Sequence, residues 1–149
     1  MASFEPQTQS FEARVRESFA RQRLMRMIGA TLRSVTPGAV EIELPFRDDL
    51  TQQHGFLHAG VVASIADSAC GYAALSLMPE DADVLTVEYK INLLSPARGE
   101  RVIARARVTR PGRNLTVCAG DVFAVTGGEE KLVATMLATM MAVRGRMTE

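Results

Sequence analysis

Hydrophobic positions along the chain follow two different periods. From Ser10 to Met27, the residues Phe11, Val15, Phe19, Leu24 and Met27 recur at helix-like spacing with Arg and Glu between them. This predicts an N-terminal helix over residues 10–28, with Ser10 as N-cap and Gly29 as stop, preceded by a flexible tail at residues 1–9. After the Thr36-Pro37-Gly38 turn the period becomes two: Val40, Ile42 and Leu44 alternate with Glu41 and Glu43, as in a half-exposed strand. Arg47 to Gln53 is polar and loop-like, and Gly60 to Leu77 reads as one long helix closed by Met78-Pro79-Glu80-Asp81. Four strands then follow, within 85–93, 102–109, 115–126 and 131–143, the last three joined by tight turns at 111–114 and Gly127-Gly128. The order is helix, strand, long helix, four antiparallel strands. It predicts an α+β fold: an antiparallel sheet curled around one central helix, in a single domain spanning 1–149.

Composition narrows the function classes. Seventeen basic residues balance seventeen acidic ones, so global charge gives no reason to expect a nucleic-acid partner. Fifteen of the bases are Arg, through compositional bias or because Arg suits bidentate contacts to carboxylate and phosphate. Cys70 and Cys118 lie inside apolar patterns without metal-ligand spacing, which predicts reduced core thiols and no metal site. No apolar run approaches the roughly 20 residues of a membrane span, and the N-terminus lacks a signal-peptide pattern. A cytoplasmic protein is the expectation.

The long helix carries the candidate chemistry. At 3.6 residues per turn, Gly60, Ala63, Ser64, Asp67, Gly71 and Ala74 form one stripe, and apolar or small residues cover nearly every other face. A helix apolar all round is buried. Asp67 is its only charged residue, and an ionised carboxylate buried without a partner costs several kcal/mol. Two readings stand. Asp67 is held by a strand residue such as Arg105 or Arg107, or it lines a cleft with a tuned pKa suited to activating water. Just upstream, His54-Gly55-Phe56-Leu57-His58-Ala59-Gly60 opens the helix. Backbone N–H groups of Ala59 and Gly60 at such a terminus can polarise a carbonyl oxygen, while His58 either caps the helix or shapes the site.

The runs GFLHAGVVASIADSACGYAAL, TVEYKINLLSPARGE and RPGRNL resemble the PaaI-like hotdog-fold acyl-CoA thioesterases. Gly55, His58 and Asp67 match that family's Asn-x-x-Gly-x-x-His-Gly-Gly pattern and the Asp nine residues after its His. The resemblance runs from about Val40 to Val143. It implies that Asp67 is general base or nucleophile toward an acyl-CoA thioester, that the Ala59 and Gly60 amides polarise the carbonyl with His58 beside them, and that Thr86 orients the attacking water. It further implies that Arg110, Gly112, Arg113 and Asn114 contact the CoA nucleotide and that no cofactor is needed. Two departures are visible: Gln52 stands where the family has Asn, and Ala59 replaces the first Gly of His-Gly-Gly. The resemblance also implies a homodimer with shared active sites, further paired into a homotetramer. Asp67 and Thr86 would come from one subunit and Gln52, His58 and Ala59 from the other. Met136, Met140 and Met141 offer adaptable apolar surface for such packing or for an acyl tunnel. Alternatives are a hotdog enoyl-CoA hydratase or dehydratase and a non-catalytic acyl-CoA-binding protein.

Overall fold

The computed structural model describes residues 3–145. Where the N-terminal pattern predicts one helix over residues 10–28, two form, α1 (Phe11–Arg21) and α2 (Arg23–Ile28). They are separated at Gln22, whose ψ of 105° is extended rather than helical. The periodicity misses this break because no Pro or Gly marks it. Ser10 precedes α1 but makes no side-chain capping bond. Gly29 ends α2 as anticipated, in the left-handed conformation at φ 82°. The described part of the tail is not free: Phe4 packs against the core, and Gln7 Nε2 donates to the Leu77 carbonyl at 2.9 Å.

Strand β1 (Thr31–Thr36) is an addition to the predicted set, followed by β2 (Ala39–Pro45). A short 3₁₀ turn at Asp48–Leu50 and an ordered loop lead into α3 (Ala59–Leu75). The remaining strands are β3 (Ala82–Leu93), β4 (Arg101–Arg110), β5 (Leu115–Thr126) and β6 (Glu129–Arg144). All six form one antiparallel sheet in the order β1-β2-β4-β5-β6-β3. The sheet curls around α3, which touches β2 through β6.

Small residues let helix and sheet approach closely. Ala66, Ala69, Cys70 and Ala73 are fully buried, facing alternate strand residues such as Val40, Ile42, Ala104, Val122 and Ala138. A Cβ on Gly120 would stand 2.9 Å from Cys70 Sγ, so a larger residue there would push α3 off β5. The expectation of a helix buried on all sides holds for this face only. Ala59 and Gly60 are exposed, and Val61, Ser64, Asp67 and Ser68 are half-buried. Strand β3 is the sheet edge beside that open stripe. It presents Val87 at 51%, Tyr89 at 45% and Leu93 at 53% exposure.

The C-terminal end of α3 is closed by an arginine from another element. Arg14, on α1, donates to the carbonyls of Leu75, Met78 and Pro79 at 2.7, 3.1 and 2.7 Å. The last carbonyls of a helix have no intrahelical partners, and a cation there also complements the helix dipole.

Candidate active site

Asp67 lies in the middle of α3, about 12 Å along the axis from each end. Its Oδ1 accepts a hydrogen bond of 2.7 Å from the Thr86 hydroxyl on β3. Neither arginine considered as a partner reaches it: Arg105 pairs with Glu41 and Glu130, and Arg107 lies nearest Asp121. Burial pushes the Asp67 carboxyl above the ordinary carboxylate value, and the Thr86 bond pulls it only part of the way back. Asp67 and Thr86 face a cleft of about 350 Å³ bordered by Ser68, Gly71, Tyr72 and Leu75 of α3, by Asp83 and Val84 of β3, and by Ser18, Arg21 and Gln22 of the N-terminal segment. The last three are not singled out by the sequence, because nothing local ties them to a helix some fifty residues away.

A second cleft of about 350 Å³ lies at the other end of α3, lined by Gln52, Phe56, Ala59, Leu93, Pro96 and Val133 among others. The loop leading to it is firmly held. Gln52 N–H donates to the Phe56 carbonyl at 2.9 Å, Gly55 turns at φ 80°, and Leu57 N–H donates to Ala97 at 2.9 Å. The Gln52 side-chain oxygen accepts from the His54 amide at 2.6 Å, which turns the Gln52 NH₂ group away from that contact.

His58 is the N-cap of α3: its Nδ1 accepts from the Gly60 N–H at 2.8 Å. Of the two amides at this terminus, that of Gly60 is therefore engaged by His58. The Ala59 N–H has no hydrogen-bond partner among the described residues. A Cβ on Gly60 would come within 3.1 Å of the His58 ring, so glycine here lets the ring fold over the helix start.

The 111–114 turn lies elsewhere again. Gly112 and Arg113 border a cleft of about 410 Å³ with Gln7, Leu77, Pro79 and Arg144, beyond the C-terminal end of α3. Arg110 and Asn114 flank the turn at the strand ends and are exposed. A Cβ on Gly112 would collide with the Leu115 carbonyl, so the tight turn requires glycine. One chain thus gathers the predicted site residues into three places along α3: Gln52, His58, Ala59 and Gly60 at its start, Asp67 and Thr86 at its middle, and the arginine turn past its end. Among the described residues, no group of three His, Cys, Asp or Glu is arranged to hold a metal ion, and no helix is long and apolar enough to cross a membrane.

A carboxylate with a raised pKa at a helix-on-sheet cleft, and a free amide at that helix's start, are groups that hydrolytic chemistry can use. Comparison with known proteins shows the family. The thioesterase superfamily pattern matches residues 54–131, more than half of the chain. Human acyl-coenzyme A thioesterase 13 is 30% identical over 117 residues, 77% of this chain and 83% of that protein. A solved thioesterase family protein from Silicibacter pomeroyi is 55% identical with a TM-score of 0.89, covering 91% of this chain and 99% of that one. A phenylacetic acid degradation-related protein from Ralstonia eutropha JMP134, at 24% identity and TM-score 0.76 over 89% and 99% of the two chains, shares the fold. The chain belongs to the thioesterase superfamily and has the hotdog fold.

Proposed function

We propose that this thioesterase hydrolyses acyl-CoA, with Asp67 acting on the thioester from one subunit and the α3 terminus of a second subunit holding the carbonyl. The observation that carries the reading is Asp67 itself. It is a desolvated carboxylate whose one side-chain partner among the described residues is a hydroxyl. A raised pKa makes it a better base toward water, and Thr86 fixes which oxygen faces the substrate. Asp67 takes a proton from water as the water oxygen bonds to the thioester carbon. The resulting oxyanion is met by the Ala59 N–H and the Gln52 NH₂ group. The C–S bond then breaks, and the CoA thiolate leaves and is protonated. Direct attack by the Asp67 carboxylate, giving an anhydride that water then opens, uses the same geometry.

The separation of Gln52 and Ala59 from Asp67 along α3 supports a shared site. So does β3, a twelve-residue edge strand with apolar side chains left open beside the exposed stripe of α3. Such an edge is a template for pairing with another strand. A two-fold dimer through β3 sets the start of one α3 against the middle of the other. Arg110, Gly112, Arg113 and Asn114 then offer donors for CoA phosphates, and a tetramer is a further pairing of such dimers.

The test is release of free thiol from acyl-CoA, followed by complementation. Asp67→Asn and Ala59→Pro homodimers should each be inactive, and co-expressed hybrids should regain about half the activity per dimer, because one of two symmetric sites is then intact. Hybrids as inactive as their parents would place both functions in one chain. Enoyl-CoA hydration without thiol release would favour the hydratase reading.

A further inference from the structure

The wall of the Asp67 cleft facing α1 and α2 carries, beside Arg21, four connected polar side chains. Gln22 Oε1 accepts from the Ser68 hydroxyl at 3.1 Å, and Gln22 Nε2 donates to the Tyr72 hydroxyl at 3.0 Å. Ser18 Oγ lies 3.3 Å from the same Tyr72 oxygen. Gln22 can reach both partners because the chain is extended there, between α1 and α2. Tyr72 is 5% exposed and packs edge-on against Phe19 at 5.9 Å, so its hydroxyl is fixed in place. The cleft runs from Asp67 along α3 toward Leu75, away from the helix start. CoA, with its pantetheine arm and nucleotide, is far larger than about 350 Å³ and must extend to solvent. On the thioesterase reading, the part of the substrate that meets Gln22 and Tyr72 is taken to be the acyl group, with the pantetheine arm leading out to solvent.

Resting on the thioesterase reading above, we propose that Gln22 and Tyr72 determine acyl specificity. They form a polar end wall that favours short acyl groups carrying a hydrogen-bonding substituent and disfavours saturated groups of the same shape. A methyl group pressed against this wall displaces water from the carboxamide and hydroxyl without replacing its hydrogen bonds, whereas a substrate hydroxyl replaces them. Sites that hydrogen-bond a substrate group reject the analogue lacking it far more strongly than apolar pockets discriminate by size.

The experiment compares kcat/KM for two shape-matched pairs, 3-hydroxybutyryl-CoA with isovaleryl-CoA and 6-hydroxyhexanoyl-CoA with heptanoyl-CoA, in wild type, Gln22→Leu and Tyr72→Phe. The two pairs probe two depths of the cleft. Tyr72→Phe keeps the ring against Phe19 and serves as the variant least able to disturb folding, checked by thermal unfolding. Wild type should prefer the hydroxylated member of at least one pair by about tenfold or more. Both variants should bring that ratio close to one. A structural role alone would lower both members of a pair together and leave the ratio unchanged. Unchanged ratios in folded variants, or a wild-type preference for the saturated members, would overturn the proposal. Asp67→Asn in the same assay separates the two levels. If wild type releases no thiol from any of the four substrates, or Asp67→Asn releases it as fast as wild type, the catalytic reading fails and the specificity proposal falls with it. If Asp67-dependent release persists with ratios unmoved, only the Gln22 and Tyr72 assignment fails.

Discussion

The two faces of the sheet treat charge in opposite ways. On the outer face, acids and bases alternate with buried apolar residues and find partners across neighbouring strands. Arg33 reaches Glu43 at 3.3 Å, Arg105 Nε reaches Glu41 at 2.7 Å and its Nη2 reaches Glu130 at 2.7 Å, and Arg107 lies 3.7 Å from Asp121. Arg105 also covers the Phe123 ring at 4.9 Å. These groups keep much of their hydration, so pairing changes little. On the inner side, where α3 packs against the sheet, the helix residue Asp67 has lost part of its hydration and gained a hydroxyl from β3 in exchange. The difference is one of purpose. A paired surface charge holds register and solubility, whereas a desolvated carboxylate facing a cleft is maintained against its own cost.

The sharpest way to break this comparison is Asp67→Asn, which keeps the shape and the Thr86 bond. Thiol release should fall by about 10²–10⁴-fold, the usual worth of a positioned base. Stability should move the other way. Because the folded carboxyl titrates above its ordinary value of 3.8, ionisation costs the fold nothing below that pH. The cost grows as pH rises through the folded pKa and persists above it. Melting scans across pH should therefore show the Asn variant more stable than wild type near neutrality, with the gap closing toward acid. A variant that melts lower at pH 7 would reveal a cationic partner and merge the two faces into one category.

Next in size is Ala59→Pro, which removes a single N–H. Proline is favoured at the first helical position, and His58 already has the extended backbone (φ −59°, ψ 138°) that a following proline requires. Loss of one oxyanion donor should lower kcat by about 10²–10³ with far-ultraviolet dichroism unchanged. Thr86→Val is expected to act more mildly, lowering kcat at pH 8 by about tenfold, the worth of a hydrogen bond to a charged group. It should also move the acidic limb of kcat/KM to higher pH, since the hydrogen bond that lowers the Asp67 pKa is gone. The smallest effect belongs to the outer face. Arg105→Ala should cost at most about 1 kcal/mol in urea unfolding and leave turnover unmoved, despite its two carboxylate partners.

Much of this arrangement is legible in the sequence, for identifiable reasons. Strand β5 lies where the pattern puts it, at Leu115–Thr126, because the turn at 111–114 and the Gly127-Gly128 turn bound an apolar run on both sides. The long helix is visible from its small-residue composition, and Asp67 stands out as the one charge upon it. Strand β1 escapes notice because it is six residues long and shifts register between Leu32 and Ser34, which breaks the period. The separation of α1 from α2 leaves no mark because Gln22 is an ordinary helix former, and its role appears only once Ser68 and Tyr72 are brought beside it. The engagement of the Gly60 amide by His58 is equally silent, since a histidine before a helix is compatible with both capping and catalysis. Local period and turn chemistry are written along the chain. Contacts between residues fifty positions apart are written only in the fold.

The Arg14 clamp gives the N-terminal helices a different standing from an ordinary surface appendage. For α1 to lift away, the carbonyls of Leu75, Met78 and Pro79 must lose their donor at once, and a half-buried guanidinium must leave its seat. Opening of α1 is thereby coupled to fraying of α3. Amides of both helices should exchange with solvent as one cooperative unit rather than in sequence. The Gln22 and Tyr72 wall of the Asp67 cleft then lasts as long as the central helix does, and a selectivity set by that wall should persist on warming until the fold itself is lost.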